Sequence, residues 1–129
     1  MKINMLGVFT DRFAEMKRFY VDVLGFEVLE ELEKYVEFSG QPVRVALCER
    51  SVMQDVTGDA AFERPATGST LEFAFECGTR EELDERYNGL LAAGAREVKR
   101  PSVMPWGQYA GFFADPDGNV HELFVHASN

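Results

Sequence analysis

Phe112-Phe113-Ala114-Asp115-Pro116-Asp117-Gly118-Asn119-Val120-His121-Glu122-Leu123 is the stretch on which the reading of this chain turns. Asp115 at the first position, Pro116 at the second and Gly118 at the fourth match a type I turn residue by residue. Apolar runs flank the turn, so the stretch predicts two antiparallel strands, Gln108 to Ala114 and Val120 to Val125. The turn motif itself reads as a connection that does no chemistry. Alternation in the second strand sets Leu123 and Val125 on one face and Glu122 and Phe124 on the other. His121 then lies opposite Glu122, as a hydrogen-bonded or exposed side chain outside any site.

Working back from the hairpin, Ala95 to Lys99 is another strand candidate, preceded by a helix. Leu83, Tyr87, Leu90 and Leu91 form the apolar stripe of that helix. Thr79-Arg80-Glu81-Glu82 fits a capping box at its start, and Gly94 ends it. Leu71 to Cys77 reads as a strand before the helix. The first half has the same order. Ile3 to Phe9 reads as a strand, and Phe13, Met16, Tyr20 and Val23 mark a helix that stops at Gly25. Strands follow at Phe26 to Leu32, Lys34 to Ser39 and Val43 to Glu49. An apolar residue follows each capping glycine, Phe26 in one half and Ala95 in the other. The chain therefore reads β-α-β-β-β twice, a structural repeat without obvious sequence identity. We read residues 1–129 as one domain, with module one at about 1–50, a connector at about 51–68 and module two at about 69–127. The connector reads as a loop, with Val52, Met53 and Phe62 available to order part of it.

Composition narrows the function classes. Apolar residues make up 46% and charged residues 27%, which is ordinary for a globular protein and excludes disordered or collagen-like chains. The net charge of −9 opposes docking on nucleic acid or anionic membranes, since both need a positive field. No apolar run approaches a membrane span. Cys48 and Cys77 each sit in an apolar run and read as buried thiols. Cytoplasmic residence is the expectation.

The hairpin quoted above resembles the closing hairpin of the vicinal oxygen chelate superfamily, the glyoxalase, bleomycin-resistance and extradiol dioxygenase-like proteins. Phe19-Tyr20-Val21-Asp22-Val23-Leu24-Gly25-Phe26 is similar to the end of that family's first helix, and Pro105-Trp106-Gly107 is common before its penultimate strand. The resemblance spans nearly the whole chain. It implies an α+β fold in which two βαβββ modules form a curved open barrel around a pocket, often with a divalent metal. It places the family's ligand positions on Met5, Glu72 and Glu122. A fourth would lie on the Val43 to Glu49 strand, where Glu49 is the one plausible donor. In this register Met5, Gly7 and Phe9 face the pocket, and Leu6 and Val8 face the helix.

A thioether beside two carboxylates suits neither zinc nor the usual ferrous site. The expectation is therefore no tightly bound cofactor, with a weakly held divalent metal on Glu72 and Glu122 as the alternative. Three functional readings follow. One is a small-molecule-binding protein with a mixed apolar and acidic pocket of Met5, Phe9, Glu72, Trp106, Glu122 and Phe124. Another is a metal-dependent lyase, isomerase or dioxygenase of the glyoxalase type. A module that has lost chemistry and serves interaction is a third. Trp106 reads equally as a ligand-stacking residue or as a plug. The expected partners are a small-molecule ligand and a second copy in a homodimer.

Overall fold

The computed structural model describes residues 1–126. The first half runs β1 (Met5–Thr10), α1 (Phe13–Arg18), β2 (Glu27–Leu32), β3 (Tyr35–Ser39) and β4 (Arg44–Glu49). The second runs β5 (Ala74–Glu76), α3 (Arg80–Ala92), β6 (Arg96–Val103), β7 (Tyr109–Ala114) and β8 (Val120–Val125), with α2 (Arg50–Thr57) between the halves. The fold is α+β, two βαβββ modules each built on an open four-stranded sheet. The strand orders are β1-β4-β3-β2 and β5-β8-β7-β6, so each module repeats one topology. In each, the first strand lies parallel to the last and the remaining pairs are antiparallel. The chain forms two compact units, Met1–Thr67 and Gly68–Asn129. Among the described residues no helix is long and apolar enough to cross a membrane.

In the first module, Val8, Val36, Phe38, Val45 and Leu47 are buried together with Met16, Phe19, Tyr20 and Phe26. Tyr20, Phe26 and Phe38 form an aromatic cluster with centroids 5.3 to 6.1 Å apart. The predicted helix is present, but its second half, Phe19–Val23, widens into a π-helical turn. Leu24 N–H accordingly reaches back to Phe19 O. The wider turn carries Phe19 and Tyr20, adjacent in sequence, into the core together. Gly25 (φ +75°) ends the helix, and Phe26 N–H closes it on Tyr20 O at 2.9 Å. Leu6, expected beside Val8 against the helix, is 45% exposed, because it sits near the start of an edge strand.

The connector differs from the loop reading. Arg50–Thr57 is a helix, capped by the left-handed Gly58, whose N–H meets Gln54 O at 2.8 Å. It belongs with the first unit. Phe62, on the short 3-10 turn Ala60–Phe62, sets its ring edge-on to Phe9 at 5.1 Å.

The second module is organised by its closing hairpin. Gly118 N–H bonds Asp115 O at 2.9 Å, which closes the expected turn. The buried Asp115 carboxylate accepts from Asp117 N, Asn119 N and Asn119 Nδ2, each at 3.0 Å, and contacts His121 Nε2 at 2.9 Å. His121 Nδ1 accepts from Phe73 N–H at 3.0 Å. With Nδ1 accepting, Nε2 carries the proton and donates to Asp115. The turn thus does more than connect strands, since it orients a fully buried histidine that grips the lead-in to β5. This also explains why β5 is shorter than the predicted Leu71 to Cys77. The amide of Phe73 is spent on the imidazole rather than on the strand ladder. Thr79 caps α3 through Glu82 N, and Glu82 accepts from Gly78 N, so the predicted box forms and reaches one residue further back. Leu83 and Tyr87 of α3 are buried, and Tyr87 O–H donates to Phe112 O at 2.7 Å.

Two substitutions test this packing. A side-chain Cβ at Gly111 would lie 2.9 Å from Pro101 Cγ and 3.1 Å from Tyr87 Cδ2, so Gly111→Ala should cost roughly 1–3 kcal/mol. Asp115→Ala leaves the buried imidazole N–H and three further donors without their acceptor, and should cost about 3 kcal/mol or more. Urea denaturation of each variant against the parent measures both.

Candidate functional site

Register in the second module settles which side chains share a face. Ala74 pairs with Glu122, Glu76 with Phe124, Phe112 with Glu122 and Ala110 with Phe124. Phe113, His121 and Leu123 point the other way and are buried on the α3 side. Glu72, two residues before Ala74, shares the Glu122 face. Glu122 is half-buried and Glu72 exposed. The two carboxyl groups are close enough to hydrogen-bond, and Glu122 titrates above the usual carboxylate range. Burial is the main cause, followed by the negative charge of Glu72 and by that hydrogen bond. Phe124, half-buried, borders the pair and sets its ring edge-on to His126 at 5.3 Å. What this face offers is a paired carboxyl beside an aromatic wall, with small Ala74 and Ala110 between.

Trp106 is 61% exposed, and its indole N–H donates to Gln108 Oε1 at 2.9 Å. On the first module, Met5, Gly7 and Phe9 alternate to one face of β1 and pair with Arg44, Ala46 and Cys48. Met5 is exposed, and its sulfur accepts from Tyr35 O–H at 3.6 Å. Phe9 is half-buried against Phe62. Glu49 pairs with Thr10, on the face opposite Met5, and is engaged by Lys34 at 3.4 Å and Ser51 at 3.1 Å. It is thereby removed as a fourth ligand. Cys48 and Cys77 are free, buried thiols whose pKa burial raises, so neither is poised as a nucleophile. Sequence reasoning passed over Arg44, Glu37 and Tyr35. Their signal was the alternation along β3 and β4, which puts polar residues among apolar ones on one face.

A glyoxalase-type architecture, a βαβββ unit used twice, is what these elements define. The chain belongs to the glyoxalase/bleomycin resistance protein/dioxygenase superfamily, whose family model matches residues 2–123. It is similar in structure to a glyoxalase/bleomycin resistance protein/dioxygenase from Nocardioides, with a TM-score of 0.86 and 26% identity over 97% of this chain and 83% of that one. A family enzyme from Burkholderia phytofirmans gives a TM-score of 0.84 at 21% identity, covering 97% and 98%. A lactoylglutathione lyase from Agrobacterium tumefaciens gives 0.73 at 23%, covering 97% and 93%. At such identities the last two likenesses speak to the fold. No curated protein matches the chain in sequence.

The superfamily often uses a divalent metal, and the donors here do not fit a transition ion. Met5 offers a thioether already engaged by Tyr35, and Glu72 a carboxylate, where a zinc or ferrous site favours imidazoles. His121 has both ring nitrogens occupied on the opposite face, and His126 lies 3.4 Å from Glu76. Among the described residues, no three His, Cys, Asp or Glu side chains form a metal-binding group.

The raised pKa of Glu122 has a stability consequence. A folded value above the unfolded one means that the folded state binds the proton more tightly. The cost of ionising Glu122 is absent below the ordinary glutamate range, near about pH 4, and grows as pH rises through the raised value. Glu122→Gln should therefore be more stable than the parent at neutral pH and equal to it near about pH 3–4. Thermal melts across that range, with an NMR titration of the Glu122 carboxyl, check it. An ordinary glutamate titration would refute it.

Proposed function

We propose that this protein binds a small molecule through a cationic or hydroxyl-rich group seated on the Glu72–Glu122 face, without a tightly held metal. The observation carrying this reading is the half-buried Glu122 on the sheet face it shares with Glu72 and Phe124, where burial and the charge of Glu72 raise its pKa. Two carboxyls brought together in a partly desolvated place hold a proton that a cation can replace, and the exchange relieves their repulsion. Hydroxyl groups can instead donate to the same oxygens. Phe124 supplies apolar contact beside the charge, and Trp106, in the same module, is proposed as a further apolar contact. We favour binding over metal-dependent lyase, isomerase or dioxygenase chemistry because Met5 replaces the family's first ligand with a thioether already engaged by Tyr35.

The test titrates the purified protein with magnesium and with butylammonium, each alone, while observing the Glu122 carboxyl. Elemental analysis should find well under one equivalent of zinc, nickel or iron. Affinity for the cations should rise with pH through the Glu122 titration, and Glu122→Gln should weaken it several-fold. Stoichiometric transition metal, or binding indifferent to Glu122→Gln, would defeat the proposal.

We also propose a homodimer. Leu6, Val28, Leu29 and Leu32 on edge strands β1 and β2 are 40 to 60% exposed, and pairing would cover apolar surface and unpaired strand edges. Sedimentation equilibrium should give twice the chain mass at micromolar concentration. A monomer at high micromolar concentration contradicts it.

A further inference from the structure

The first module carries a polar cluster that its own packing does not require. Alternation puts Val8, Val36, Phe38, Val45 and Leu47 on the helix side, where they are buried. The other face presents Met5, Tyr35, Glu37, Arg44 and Cys48. There the Glu37 side chain is only 5% exposed and receives Arg44 Nη1 at 2.7 Å. Arg44 Nε and Nη2 both donate to Asn4 Oδ1, at 3.1 and 2.6 Å. A guanidinium has five N–H groups. Among the described residues three are used, which leaves two on a side chain that is 49% exposed.

Tyr35 is the second part of the cluster. Its hydroxyl donates to the Met5 thioether, a weak acceptor on a flexible side chain. Burial, and then the charge of Glu37, raise the phenol pKa, so the hydroxyl keeps its proton and remains a donor. Stability alone is a poor account of the arrangement. An ion pair withdrawn from water is often no more stabilising than apolar residues of similar size. A phenol bonded to sulfur also holds its proton where a better acceptor would displace it.

We propose that Tyr35 and Arg44 form a subsite on the first module that takes an uncharged carbonyl or amide oxygen of a small ligand. Glu37 and Asn4 are positioning residues that hold the guanidinium plane. Glu37 also neutralises Arg44, and the chain carries a net charge of −9, so the subsite selects a neutral oxygen over a carboxylate. On binding, the Tyr35 O–H keeps its proton and turns from the Met5 sulfur to the ligand oxygen, and one of the remaining Arg44 N–H groups completes a two-donor grip. This rests on the small-molecule reading above and deepens it by naming a ligand group. It uses residues of the other module, so the two can fail separately.

The test is NMR titration of the full chain with acetamide, and in parallel with acetate, following the Tyr35 ring and the Arg44 Nε–H. Acetamide should give saturable shifts at both residues and acetate weaker ones. Tyr35→Phe, which keeps the ring, should weaken acetamide binding about fivefold, the value of one net hydrogen bond, with an unchanged thermal melt. Arg44→Lys should weaken it comparably while leaving Glu37 paired. Glu122→Gln should leave these shifts untouched while reducing cation binding. Absence of saturable shifts, tighter binding of acetate, or unchanged affinity in Tyr35→Phe would each overturn the proposal.

Discussion

A carboxylate taken out of water must collect hydrogen bonds or give up its charge. Asp115 collects them from the turn it begins and from His121, and His121 in turn holds the amide of Phe73. This relay joins the tip of the β7–β8 hairpin to the start of β5, so the parallel β5–β8 pairing depends on it. The His121 ring is sandwiched in the core, stacked on Phe73 at 5.2 Å and tilted against Phe113 at 5.7 Å. With His121 fixed on the α3 side, strand alternation sends Glu122 to the other face. Glu72 reaches the same face because Phe73, its neighbour, is gripped from the α3 side. The candidate carboxyl pair is thus a consequence of a buried aspartate-histidine contact made by its sequence neighbours.

The two modules share a topology and differ in the chemistry of the face away from their helices. On the second module two like charges meet, and burial makes Glu122 hold its proton more tightly. On the first, Glu37 is buried more deeply, but Arg44 neutralises it. One face therefore carries two carboxyls without a basic partner among the contacts described, while the other pairs its carboxylate with a guanidinium. Among the described residues neither set gathers three His, Cys, Asp or Glu donors of the kind a divalent metal needs. The likeness to the Nocardioides protein, a TM-score of 0.86 at 26% identity, shows that one architecture is compatible with widely differing sequences.

Local signals in the sequence were strong where chemistry is local. The type I turn at Asp115, the capping box at Thr79 and the glycines after each helix depend on a few adjacent residues, and each appears where it was expected. Signals failed where a contact came from far along the chain. The amide of Phe73 leaves the strand ladder for an imidazole 48 residues away, so β5 is shorter than its apolar alternation suggests. In Arg50–Thr57, Val52, Met53 and Val56 fall on one helical face, but over only eight residues inside a polar, glycine- and proline-containing connector, too short a stretch to announce the helix it forms. The sequence offers Glu49 as a ligand, but register places it on the other face, beside Lys34.

By itself the sequence determined the order of elements, the doubled βαβββ plan and the face on which Glu122 lies. Periodicity and turn chemistry are written in neighbouring residues, and those were enough. Only the tertiary structure decided that Glu72 and Glu122 meet, that His121 is a buried strut, and that Tyr35 and Arg44 stand together on one sheet. Pairing register between strands distant in the chain determines which side chains become neighbours, and burial determines what proximity does to their charge. Neither quantity is contained in any local stretch of residues.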